Sequence, residues 1–159
     1  LDVFRYNEKW LNENLGYYTD IYIHLRPTFP IRKISHISKM IKLMEKNFDK
    51  IDSVRSVIKT NIKFEKYYKL NQKNLLKNHY SFKKNSLKQD FLGNQSDHLL
   101  NTWYKHNGNI DVFKAKLLNK NTVTGKNILS FLQKNNFDYD INTKKDLANV
   151  SKLLVSKNF

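Results

Sequence analysis

Residues 20–59 carry, in order, a short apolar run, two prolines three residues apart, an amphipathic stretch and a β-branched run. Asp20-Ile21-Tyr22-Ile23-His24 reads as a short buried strand. Proline fixes φ and lacks an N–H, so Pro27 and Pro30 end that strand and make Leu25-Arg26-Pro27-Thr28-Phe29-Pro30-Ile31-Arg32 a rigid loop. Ile34, Ile37, Ile41, Met44 and Phe48 then recur at helical spacing, which predicts an amphipathic helix from about 35 to 48. Residues 53–59 (SVRSVIK) read as a second strand from their β-branched content. Strand, helix, strand in this order suggests a parallel βαβ unit and an α/β fold class.

The remainder is consistent with one α/β domain, since 159 residues is about one domain's length. Residues 2–15 predict a helix with Val3, Tyr6, Trp10, Leu11 and Leu15 on its apolar face and Gly16 as its cap. Residues 64–70 suit a strand that turns through 71–76 into another. The lysine-rich stretch 77–101 has no clear period and reads as a loop or an arm ordered by a partner chain. Residues 109–113 and 128–132 are strand-like, and Asn107-Gly108 is a turn signal. A last helix over 143–155 carries Leu147, Val150, Leu153 and Leu154, with Thr143 and Asp146 spaced as a capping box. No internal repeat is visible.

Composition excludes several classes. With no cysteine there are no disulfides, thiolate metal sites or cysteine nucleophiles. No apolar run approaches the roughly 20 residues that cross a bilayer, so no membrane partner is expected. The opening residues lack the basic start and apolar stretch of a leader, and the expected compartment is the cytoplasm. The chain begins with leucine rather than methionine, as a fragment would. The net charge of +15 invites a nucleic-acid reading. However, only Arg5, Arg26, Arg32 and Arg55 are arginine, and the lysines are dispersed. Arginine is the residue with bidentate geometry for phosphate and base, so the charge reads as a solvated basic surface.

Three segments could carry chemistry. Arg26 and Arg32, with Thr28 between them, follow a strand's carboxyl end, where open α/β sheets bind ligands; a guanidinium there grips a carboxylate or phosphate bidentately. A plain strand-to-helix connection fits the same residues. Asp138-Tyr139-Asp140-Ile141-Asn142-Thr143 can aim oxygen ligands at Mg²⁺, which takes one or two carboxylates plus substrate phosphates. A helix start with Asn142 or Thr143 as cap fits it equally. Residues 104–111 could be a turn bearing ligand contacts, or a hairpin turn without chemistry. His24, His36, His79, His98 and His106 lack metal-ligand spacing, and no Gly-rich phosphate loop, G-x-S-x-G or H-E-x-x-H occurs.

In order, these segments resemble the acylneuraminate cytidylyltransferases, also called CMP-sialic acid synthetases. The family motif L-x-P-T-S-P-L-R is similar to residues 25–32, and S-V-x-S-V to Ser53-Val54-Arg55-Ser56-Val57. N-G-x-I/V-x-V is similar to Asn107-Gly108-Asn109-Ile110-Asp111-Val112, and D-I-D-T-x-x-D to Asp140-Ile141-Asn142-Thr143-Lys144-Lys145-Asp146. A G-K stretch looks similar at Gly125-Lys126. The resemblance covers nearly the whole chain and implies a Rossmann-like nucleotide-diphospho-sugar transferase type fold, N-terminally truncated. It also implies a dimerisation arm over 60–106 and a homodimer. It further implies an enzyme that joins CTP to a sialic-acid-like 2-keto-3-deoxy sugar acid with Mg²⁺, releasing pyrophosphate. On it, Arg26 and Asp140 are catalytic. Arg26, Thr28, Arg32, Lys66, Asn107, Gly108 and Asp111 bind the sugar substrate, and Asp140 and Asn142 hold the metal.

Three positions depart from the family pattern. The second metal carboxylate is Asn142. An R-Q pair before the N-G segment is replaced by Asp97-His98. The N-terminal strand and A-R-x-G-S-K nucleotide loop have no counterpart, so the chain alone is expected to be inactive. The competing expectations are a degenerate or altered-specificity nucleotidyltransferase, and a basic nucleic-acid-binding or scaffolding domain using the 77–101 arm.

Overall fold

The structure, a computed structural model, describes residues 1–78, 94–134 and 139–156. Asp138, His79 and most of the 77–101 stretch therefore lie outside the described residues. The chain divides into two units, residues 1–58 with 106–159, and residues 59–105.

Helix α1 spans Asp2–Leu15 and ends at Gly16, whose φ of 61° is the left-handed cap conformation that glycine adopts without penalty. Strand β1 is Ile21–His24, helix α2 is Ile34–Lys46 and strand β2 is Ser53–Thr60. In the 59–105 unit, β3 (Tyr68–Leu70) and β4 (Leu76–Asn78) form a hairpin. Strand β5 runs over Trp103–Lys114, β6 over Ile128–Gln133, and α3 over Lys144–Ser156.

The main sheet has the order β1-β5-β2-β6. Strand β1 is antiparallel to β5, with His24 beside Asp111, and β2 is parallel to β6, with Arg55 beside Ser130. Ile110 N donates to Ser56 Oγ at 3.0 Å and Lys114 N to Asp52 O at 3.2 Å, so β5 also runs counter to β2. The expected βαβ unit is therefore corrected in one respect: β1 and β2 share a direction, but β5 is inserted between them. The result is a mixed α/β sheet in which the carboxyl ends of β1, β2 and β6 meet at one edge.

Side chains alternate across a strand, and this divides the sheet into two faces. Val54, Ile110 and Val112 pack with Met40 and Met44 of α2. On the other face Phe113, Leu117 and Leu118 pack with Phe4 and Tyr22.

Four further expectations are corrected. The inward stripe of α1 is Phe4, Glu8 and Leu11, while Val3, Tyr6, Trp10 and Leu15 are exposed. Phe4 stacks edge-on against Tyr22, His24 and Phe113, and Glu8 accepts from Tyr22 Oη, which rotates the helix away from its own apolar pattern. Ile34 is 82% exposed because it opens α2 before the helix reaches the sheet. On α3 only Val150 is buried; Leu147 and Leu154 are exposed. Finally, β1 is a half-buried edge strand, since only β5 pairs with it.

Asn107-Gly108 is not a turn. Both residues lie inside β5, and Gly108 has φ 73°, the conformation of a glycine bulge within a strand. Thr143 and Asp146 do form a capping box: Thr143 N donates to Asp146 Oδ2 at 2.8 Å, and Asp146 N to Thr143 Oγ1 at 3.2 Å.

Among the described residues, no helix is long and apolar enough to cross a membrane.

Candidate functional site

The proline loop is built from its own backbone outward. Phe29 N donates to Arg26 O at 3.0 Å, closing a turn across Pro27, and the Phe29 ring is fully buried. Arg32 spends its guanidinium on the same turn, donating from Nη2 to Arg26 O and from Nε to Asn109 O at 3.4 Å. Burial lowers its pKa. Arg32 thus braces loop and strand, and its described contacts are backbone carbonyls rather than an open face. Thr28 is exposed, and its carbonyl accepts from Ile141 N at 2.8 Å, tying the loop to the segment that carries Asp140.

That tie brings three distant motifs together. A Cβ placed on Gly108 would sit 3.5 Å from Arg26 Nη1 and 3.7 Å from Asp140 Oδ2. Arg26, Gly108 and Asp140 are therefore neighbours at the carboxyl edge of the sheet. Asp140 Oδ1 is buried without a hydrogen-bond partner, and Oδ2 accepts from Asn142 Nδ2 at 3.1 Å. Arg26 Nε is likewise buried and unpartnered.

Asp111 anchors this space. It is 3% exposed. Arg55 Nε lies 3.0 Å and His106 Nε2 3.0 Å from its Oδ1, and Arg26 Nη2 lies 3.4 Å from its Oδ2. Burial alone would raise the Asp111 pKa; the His106 hydrogen bond and the His106 and Arg55 charges outweigh it and hold the carboxyl below its usual range. His24 sits across β1 from Asp111, and burial lowers its pKa more strongly than Asp111 raises it.

Asn107 belongs to the interior. It is 2% exposed, accepts from Ser56 Oγ at 2.8 Å and donates to Gln133 Oε1 at 2.7 Å; Asn109 donates to the same oxygen at 3.1 Å. Gln133 also meets His36 Nδ1 at 2.8 Å. The Asn107 side chain cross-links β2, β5 and β6 beneath the bulge. Arg55 and His106 complete the Asp111 cluster. His106 lies in the 104–111 segment, which the sequence allows as a turn bearing ligand contacts, whereas sequence reading missed Arg55 as a site residue. Their signal was a scarce arginine inside a strand and a histidine five residues before an aspartate.

Lys66 belongs to the other unit, where it pairs with Asp97 at 2.7 Å. In that unit Glu65, fully buried, accepts from Asn101 Nδ2 at 2.8 Å and Trp103 Nε1 at 2.9 Å. Burial would raise its pKa, but these hydrogen bonds bring it below the usual value.

Among the described residues, no three His, Asp or Glu side chains converge to hold a metal. The donor set at Asp140 is one carboxylate with an unpartnered buried oxygen and a neighbouring amide. That set suits a magnesium ion held chiefly by substrate phosphates. No protein-family model matches the sequence, and a search of curated proteins returns no match.

Proposed function

We propose that the chain forms the sugar-acid half of a cytidylyltransferase that activates a sialic-acid-like 2-keto-3-deoxy sugar acid with CTP. The observation that supports this reading is the proximity of Arg26, Gly108 and Asp140, which come from three of the motifs of the resemblance. In this reading Arg26 holds the sugar's carboxylate, its orientation set by Asp111, and the absence of a Cβ at Gly108 leaves room for the ligand. Asp140, assisted by the Asn142 amide, would hold Mg²⁺, which when bound offsets the charge of the triphosphate. Arg32 and Thr28 serve by fixing the loop. The task left to these residues is positioning and electrostatics.

The test is pyrophosphate release from CTP, a sialic acid and Mg²⁺ by the protein with any upstream coding sequence included. Release that depends on all three supports the reading. No release across several ulosonic acids sinks it. Salt-sensitive binding to arbitrary RNA or DNA in its place would favour a nucleic-acid partner.

A further inference from the structure

We infer that Arg55 is a second ligand-binding guanidinium, which together with Arg26 forms a clamp for a carboxylate, both of them set in place by one buried carboxylate, Asp111. This deepens the reading above and rests on it for the identity of the sugar. The argument begins with topology. Val54 faces the core beneath α2, so Arg55, the next residue on β2, faces the opposite side of the sheet. Asp111 on β5 alternates in the same way with Ile110 and Val112. The two side chains meet on that face, where the β6 neighbour of Arg55 is Ser130, an exposed residue. A ligand can therefore approach Arg55 over a small side chain.

Donor accounting points the same way. Arg55 engages Asp111 through Nε alone, and among the described residues its Nη pair has no partner. Arg26 reaches the other carboxylate oxygen through Nη2 at the long distance of 3.4 Å, and its Nε is buried without a partner. Asp111 and, beside Arg26, Asp140 offset the two guanidinium charges, so the ligand is selected by the geometry of the free donors rather than by a surplus charge. A carboxylate supplies a planar pair of oxygens matched to such forks.

The experiment compares the wild-type chain with Arg55→Lys and Arg55→Ala. Arg55→Lys keeps the charge beside Asp111 but removes the fork, so it tests the clamp even if Arg55→Ala does not fold. Titrants are N-acetylneuraminate, its methyl ester, and pyruvate as a bare 2-keto acid, followed by calorimetry and by the arginine Nε–H NMR signals. We expect Arg55→Lys to bind the free acids about tenfold more weakly with the ester's affinity unchanged, and pyruvate to shift the Arg55 signal. If acid and ester weaken together, if Arg55→Lys matches wild type, or if no carboxylate binds, the clamp is overturned. If pyruvate binds in an Arg55-dependent way but the sugar acid does not, the clamp stands and the sugar assignment fails. The opposite pattern, sugar bound with Arg55 silent, overturns the clamp and leaves the sugar reading intact.

Discussion

Arg55 Nε donates across 3.0 Å to Oδ1 of Asp111, a residue 56 positions later in the chain and 3% exposed. The same carboxylate also holds His106 and Arg26, so one buried charge orders three cationic or ionisable side chains. Removing one member of a buried pair strands the others. Arg26 is 36% and Arg55 22% exposed, so water offsets part of that loss. Asp111→Ala is expected to cost about 2–3 kcal/mol in urea unfolding, and Asp111→Asn less. A cost below about 0.5 kcal/mol would show that the cluster does not hold the sheet edge together.

The pH dependence follows from the same residue. The folded pKa of Asp111 is depressed, so its contribution is present above the unfolded carboxylate range and is lost as pH falls through and below it. His24 and His36 are also depressed, chiefly by burial. They favour folding above the ordinary histidine range, and stability declines as pH drops below about 6.5. Chemical unfolding from pH 8 to 3 should therefore show two acid declines. Glu65, Asp52, Asp97 and Asp146 are depressed as well, so Asp111→Asn should reduce the lower decline without abolishing it, and an unchanged lower limb would contradict the contribution of Asp111.

Two glycines with nearly the same φ should behave differently. A Cβ at Gly125 would lie 2.3 Å from Asp52 Cβ, while one at Gly108 meets only ordinary contacts of 3.5–3.7 Å. Asp52 cannot retreat easily, because its carboxylate accepts from Lys126 N at 2.8 Å and Asn127 N at 3.0 Å. Gly125→Ala should destabilise by about 2–5 kcal/mol, from backbone strain plus the clash. Gly108→Ala should cost about 1–2 kcal/mol from φ alone and should obstruct binding at Arg26. Equal melting-temperature losses for the two variants would refute the contrast.

Asp140 makes few structural contacts: its one described hydrogen bond comes from the exposed Asn142. Asp140→Ala should change stability by less than about 1 kcal/mol. If the proposed role holds, it should lower Mg²⁺-dependent turnover of the complete protein by roughly a hundredfold or more. A full rate would reduce Asp140 to a charge before a helix.

Glu65 is the corresponding buried carboxylate of the other unit. Glu65→Ala leaves Trp103 Nε1 and the Asn101 amide without their acceptor, a loss of about 2 kcal/mol. It should red-shift Trp103 fluorescence, read in a Trp10→Phe background. An unshifted spectrum would mean that the unit is organised by other contacts.

Signals that act within a few residues carried much of the chain. Pro27 and Pro30 ended β1, Gly16 ended α1, and Thr143 with Asp146 opened α3 where the spacing expects. The same local rules misread Asn107-Gly108, because a glycine with positive φ serves a hairpin turn and a strand bulge alike. They misread α1 too: Phe4 and Glu8 found partners on β1 that no helical periodicity encodes.

What the sequence by itself determined is the set of elements and the loop that joins β1 to α2, since backbone restriction, periodicity and capping depend on near neighbours. Tertiary structure alone decided that β5 would separate β1 from β2. It also decided that Arg26 and Arg55, 85 and 56 positions from Asp111, would share its carboxylate. Strand pairing and the burial of a charge are settled by residues distant in sequence, because a carboxylate leaves water only where compensating donors have been brought around it.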